Sequence, residues 1–231
     1  MVNQGLEVEA IARTMSLAIC YLRATARLAR RRLQAQAIFD DNSNAALNPW
    51  EHRFLSESLL ANLWIDWNEF VKQILMRSCN GVITRSGINV PPRAVPDNSE
   101  SRIAYEIKQY QYKKVAQPAI TNSGGLEPTW AHADRIVTCI NSLAPANALN
   151  LQSAFGASGL VGPKRIQLVR NACAHKSRLN RADVVALRAY YSTRRYQEPI
   201  DIIWATNLST NSIAIFEWIA DLETVADLAT N

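Results

Sequence analysis

Lys164-Arg165-Ile166-Gln167-Leu168-Val169-Arg170-Asn171-Ala172-Cys173-Ala174-His175 is the stretch on which the fold turns. It contains no glycine or proline, and its apolar residues recur at three- and four-residue spacing, so it predicts a helix. At about 100° per residue, Ile166, Val169 and Cys173 share one stripe, while Leu168 and Ala172 lie on a second. Gln167, Arg170, Asn171 and His175 fall in a polar wedge of roughly 140° between them. A helix apolar on two sides suits a position between the protein's own core and a second surface, such as a partner subunit.

The wedge carries the parts needed to act on a phosphodiester. Histidine side chains gain and lose protons near neutral pH, arginine is a permanent cation with forked donors, and asparagine can orient either. Asn171 and His175 are four residues apart and can touch, and Arg170 can reach across on its long stem. One imidazole cannot serve as base and acid in the same event. A two-fold axis beside this helix would bring two His175 and two Arg170 to one phosphate. An Arg and a His on a helix surface are common, so the spacing alone is a weak signal.

The surroundings add to it. The chain of 231 residues has a net charge of +5, but the charge is unevenly distributed. Residues 164–195 hold nine Lys/Arg against one acid, Asp183. A second basic block, with Arg13, Arg23, Arg27 and Arg30 to Arg32, occupies the first 40 residues, and the remainder is net acidic. Such a segment favours an anionic partner.

Working outward, Val8, Ile11, Met15, Ala18, Leu22, Ala29 and Leu33 predict one long amphipathic helix from about Leu6 to Ile38. The stretch from Asp40 to Asn48 reads as a loop. Asn48, Pro49 and Glu51 then form an N-cap, a first-turn proline and a capping box. The helix they open runs through Leu55, Leu59, Leu63, Trp67, Phe70 and Ile74 to about Ser78. Between Gly81 and Pro128, prolines and glycines surround one helix, Glu100 to Val115, which reads as an insertion too short for its own core. Tyr105, Tyr110 and Tyr112 with Lys108, Lys113 and Lys114 could stack on bases, though a half-exposed amphipathic helix is the favoured reading. Further helices are expected over Thr129 to Leu143, Asn147 to Phe155, Arg181 to Arg194 with Asn180 as cap and Asp183 in its first turn, and around Ile213 to Leu222. Ile200 to Trp204 could be a strand or a helical turn. The expectation is a single all-α domain over 1–231 with an insertion at 81–128.

Several function classes are excluded. No P-loop, dinucleotide fingerprint, H-E-x-x-H or G-x-S-x-G is present. Cys20, Cys79, Cys139 and Cys173 lack zinc spacing and read as free, mostly buried thiols of a reducing cytosol. No apolar run approaches the roughly 20 residues of a membrane span. Met15 to Tyr21 is too short, and Glu7 and Glu9 argue against a transit peptide. No metal or cofactor is expected, and the location expected is cytoplasmic. His132 and His52 read as structural histidines, and the six tryptophans as core or interface anchors.

Leu168 to His175 resembles the signature of the HEPN superfamily, in which an Arg is followed by a polar residue and, after four to six intervening positions, a His. Two long N-terminal helices, the motif helix and a short helix after it are similar in pattern. The 81–128 segment and the extended C-terminus have no counterpart in that pattern. The resemblance implies an all-α, HEPN-like bundle that dimerises through its motif helix. It also implies metal-independent RNA cleavage by the substrate's own 2′-hydroxyl, leaving a 2′,3′-cyclic phosphate and a 5′-hydroxyl. Under it, Arg170 stabilises the phosphorane, His175 handles protons and Asn171 orients, while Lys164, Gln167, Lys176 and Arg178 contact RNA. Toxin–antitoxin or antiviral defence is the implied setting, with an antitoxin or regulatory protein as a second partner. A non-catalytic nucleic-acid- or nucleotide-binding dimer is the alternative, and an adaptor for an acidic protein a third reading.

Overall fold

In a computed structural model of the chain, residues 16–44, 46–112, 128–175, 177–193 and 196–231 are described. They are mostly helical, in agreement with an all-α class. The helices are α1 (Leu17–Ser43), α2 (Pro49–Asn80), α3 (Glu100–Tyr112), α4 (Ile136–Leu143), α5 (Ala148–Phe155), α6 (Gly162–His175), α7 (Arg178–Ala186) and α8 (Ala214–Thr230). Among the described residues the only sheets are two antiparallel pairs of two-residue strands. Strand β1 (Val82–Ile83) pairs with β2 (Asn89–Val90), and β3 (Tyr191–Ser192) with β4 (Thr206–Asn207). No helix among the described residues is long and apolar enough to cross a membrane.

The chain divides into two compact units. One comprises the described parts of Met1–Ala24, Asn68–Ser158 and Val225–Asn231; the other comprises Thr25–Trp67 and Gly159–Thr224. In the first, α3 packs on α4 and α4 on α5. Ile103, Ile107, Ile140, Leu143 and Leu151 are fully or almost fully buried there. Arg93 ties the loop before α3 into this unit. Its Nη1 donates to Glu106 Oε2 at 2.8 Å and to the Leu143 carbonyl at 3.0 Å, and its Nε donates to Asn98 at 2.8 Å. The described part of the 81–128 segment thus lies within this unit.

In the second unit, α6 packs on α7 and on a 3-10 helix, Pro199–Trp204. The run Ile200 to Trp204 is therefore a helical turn, closed by a capping box between Glu198 and Asp201. Trp204 donates from Nε1 to the buried Ser56 hydroxyl at 2.8 Å, and its ring lies 6.2 Å from that of Phe39. Asp66 draws Arg31 to 2.7 Å.

The α2 start matches its sequence signals. Asn48 Oδ1 accepts the N–H groups of Trp50 and Glu51, each at 3.0 Å, and Glu51 accepts the Asn48 N–H at 3.0 Å. Other boundaries move. Helix α1 runs through Asp40 to Ser43, which the sequence reads as loop, with the Ser43 hydroxyl turned back onto the Phe39 carbonyl. The stripe it buries is Leu17, Cys20, Ala24, Leu28, Ala35 and Ile38, not the expected one, since Leu22 and Leu33 are 64% and 72% exposed. Val8, Ile11 and Met15 lie outside the described residues. Helix α4 starts at Ile136 because residues 129–135 close three-residue turns, His132 N–H onto Thr129 and Arg135 N–H onto His132. Helix α3 ends, within the described residues, at Tyr112.

Candidate functional site

Helix α6 begins where a side chain would not fit. A Cβ on Gly162 would stand 2.7 Å from the Trp218 carbonyl oxygen and 2.8 Å from Asp221 Cβ. The Gly162 N–H donates to Asp221 Oδ2 at 2.7 Å, and the Val161 N–H also donates to this carboxylate. A carboxylate at a helix N-terminus is favourable; burial nevertheless raises the Asp221 carboxyl above its ordinary range. Pro163 suits the first turn, whose N–H groups have no intrahelical partner.

From that anchor the helix turns Ile166, Val169 and Ala172 inward, all fully buried. Burying Ile166 and Val169 contributes about 1.5–3 kcal/mol each relative to leaving them in water. Cys173 and Leu168 are half-buried at the margins, so the two predicted apolar stripes are one buried arc with apolar shoulders. Opposite it lies the polar wedge. Lys164, Ala174 and His175 are exposed, and Gln167, Arg170 and Asn171 are half-buried. Arg170 Nη1 donates to Asn171 Oδ1 at 3.2 Å, so the amide orients the guanidinium. His175 stands exposed in the last turn, one turn beyond Asn171.

Helix α7 begins immediately afterwards and is capped by Ser177, whose extended backbone lets its hydroxyl accept the Asn180 N–H at 3.2 Å. The cap therefore lies three residues before the expected Asn180, and Asp183 lies beyond the first turn. The helix stops at Ala186, passes into a 3-10 turn, Leu187–Ala189, and gives way to β3 well before Arg194. Arg178 is exposed at its first position. Lys176, the remaining expected RNA contact, lies outside the described residues, as do Arg194 and Arg195.

Around the motif helix, arginines meet tyrosines. The Arg165 guanidinium lies 4.9 Å from the Tyr191 ring centre and 5.3 Å from that of Tyr190, and it donates to the Tyr191 hydroxyl. Tyr191 is buried, and its hydroxyl also accepts from Trp218 Nε1 at 2.8 Å; burial pushes its phenol up. Arg188 lies 5.6 Å from the Tyr196 ring. Arg181 and Arg53 approach the two oxygens of Glu198 at 3.5 and 3.8 Å. The charge count over residues 164–195 includes Arg165, Arg181 and Arg188 but takes no account of the tyrosines. Their interleaving in Leu187-Arg188-Ala189-Tyr190-Tyr191-Ser192-Thr193-Arg194-Arg195-Tyr196 was the available signal.

The other histidines and the tryptophans fall elsewhere. The His52 ring is 5.6 Å from Trp204, and its buried Nε2 has no hydrogen-bond partner. His132 sits in the turns before α4, not on a helix, with its Nδ1 in the same condition. Burial lowers the pKa of both. Trp64, Trp67, Trp130 and Trp218 are core residues, whereas Trp50 is 70% exposed and stacks on Phe54 at 5.5 Å. Three cysteines are buried, Cys173 is half-buried, and none of the four is in a disulfide. Among the described residues no three His, Cys, Asp or Glu side chains gather as a metal-binding group. Compared with protein-family models, with curated proteins and with solved structures, the chain matches none.

Proposed function

We propose that this chain is a metal-independent endoribonuclease of the HEPN type that acts as a homodimer. The observation that carries the reading is the outward face of α6. Arg170 is oriented by Asn171, His175 is exposed one turn on, and the opposite face is locked into the core. These residues sit in a segment with nine basic residues against one acidic residue, which suits a polyanionic substrate.

In the proposed reaction the RNA 2′-oxygen attacks the adjacent phosphorus and the bond from phosphorus to the 5′-oxygen breaks. The 2′-hydroxyl loses its proton and the departing 5′-oxygen gains one, leaving a 2′,3′-cyclic phosphate. His175 of one protomer takes the first proton and His175 of the other supplies the second, so each imidazole performs one transfer. The Arg170 side chains meet the charge that develops on the phosphorane. Lys164, Gln167 and Arg178 hold the flanking backbone, with Lys176 beside them in sequence. The resemblance to HEPN proteins adds a toxin–antitoxin or antiviral role to this reading, with a protein partner restraining the activity.

Incubating the purified chain with mixed RNA in EDTA tests the reading. Cleavage should continue and leave 2′,3′-cyclic phosphate ends. His175→Ala should lower the rate by roughly 10²–10⁴, and Arg170→Ala by roughly 10²–10³. Activity abolished by EDTA, or unchanged in both variants, would sink it. RNA binding that persists without any cleavage would favour the non-catalytic alternative.

A further inference from the structure

We infer that Tyr190, backed by Arg165, is a stacking platform for an unpaired RNA base. The inference rests on the RNA-directed reading above and narrows it.

Tyr190 is 57% exposed, yet it is not a loosely held surface residue. Its backbone N–H donates to the Leu187 carbonyl, and its own carbonyl accepts the Leu208 N–H, both at 2.9 Å. The Arg165 guanidinium lies over the ring, 5.3 Å from its centre. Arg165 is itself held by the buried Tyr191 hydroxyl, which Trp218 braces at 2.8 Å. A ring ordered in advance loses little freedom when a base stacks on it.

The charge around the ring favours a nucleic acid strand. Two acidic side chains, Glu217 and Asp221, influence this corner. Glu217 is occupied by Asn207 at 2.7 Å and by the Thr210 hydroxyl. Asp221 is occupied by the start of α6. Lys164 stands exposed beside Arg165, and Arg188 with Tyr196 makes a second arginine–tyrosine pair nearby in sequence. Cation-backed aromatic rings in a basic setting suit single strands, because an unpaired base offers a free π-face that a duplex keeps inside its stack. Arg165 and His175 are ten residues apart on α6, about 15 Å along its axis. An unpaired strand lying along the helix could therefore place a phosphate at one end and a base at the other.

Fluorescence anisotropy on the full chain in a His175→Ala background, which keeps the RNA intact, tests this. The probes are a labelled oligouridine and a blunt RNA duplex of the same length. Tyr190→Ala should weaken oligouridine binding about tenfold. Duplex binding should stay within about twofold of its starting value, since duplex contacts are to the backbone. Tyr190→Phe should retain the oligouridine affinity, and thermal melts should show all variants folded. Equal loss on both probes, no loss with alanine, or a loss with phenylalanine as large as with alanine overturns the proposal. So does failure of the Tyr190-containing protein to bind oligouridine. A Tyr190-dependent preference for oligouridine in a chain that does not cleave RNA would remove the nuclease reading and leave this one standing. His175-dependent cleavage with no Tyr190 effect would do the reverse.

Discussion

Gly162 shows how much one position can hold. In sequence it follows Gly156 and Gly159 and reads as punctuation on the approach to the motif helix. What the sequence could not show is that the carbonyl and Cα of Trp218 pass so close that any Cβ would stand 2.7 and 2.9 Å from them. The residue that sets the approach, Trp218, is 56 positions away in the chain and carries no local signal. Gly162→Ala should therefore push α6 off α8 and strain the Asp221 cap, costing about 1–3 kcal/mol. Urea denaturation of the purified variant measures it, and an unchanged midpoint would show that the approach is not tight. The same limit applies to the candidate site. Arg170, Asn171 and His175 are legible together because they share one helical turn and a half. Arg165 with Tyr190 and Tyr191 is not, because separate elements bring those side chains together.

Individual helices were legible where their end signals were unambiguous and misread where two answers were equally good. Asn48, Pro49 and Glu51 point to a single start, and α2 begins there. Helix α1 offered two apolar stripes about 150° apart at 100° per residue, one through Leu22 and Leu33, the other through Leu17, Ala24, Leu28 and Ala35. The second also bears the charged Arg31. That arginine is neutralised by Asp66 at 2.7 Å, a partner on another helix, and so this side goes inward. The α7 cap is a similar case, since Ser177 and Asn180 are both capping residues and lie three apart. The geometry at Ser177 decides for the earlier residue. Ser177→Ala should cost about 1 kcal/mol in chemical denaturation. Asn180→Ala should be neutral or slightly stabilising, since alanine is the better helix former inside the first turn. The opposite order would place the cap at Asn180.

For the whole molecule, helical periodicity made the all-α class readable, but of the two-unit division only the Ser158/Gly159 boundary, set among Gly156, Gly159 and Gly162, left a trace in composition. The boundaries at Ala24, Trp67 and Thr224 fall inside α1, α2 and α8, with no glycine, proline or change of polarity to mark them. Each unit carries one histidine that its burial holds neutral: His132 in the first and His52 in the second. Both folded pKa values lie below the ordinary imidazole value, so the unfolded chain binds more protons there. Stability from these groups is present above about pH 6.5 and is lost as pH falls through that value toward the lower folded pKa values. The Asp221 carboxyl, raised by burial, acts in the opposite sense, its contribution weakening as pH rises through its folded value. Thermal unfolding followed from pH 8 down to 5 should therefore be compared between the parent chain and a His52→Gln, His132→Gln double variant. The variant keeps Asp221 and His175, so subtracting the two curves isolates the buried imidazoles. The midpoint should fall more steeply in the parent than in the variant below pH 6.5, and the curves should run parallel above pH 7. Curves parallel throughout would mean that neither imidazole is held neutral by the fold.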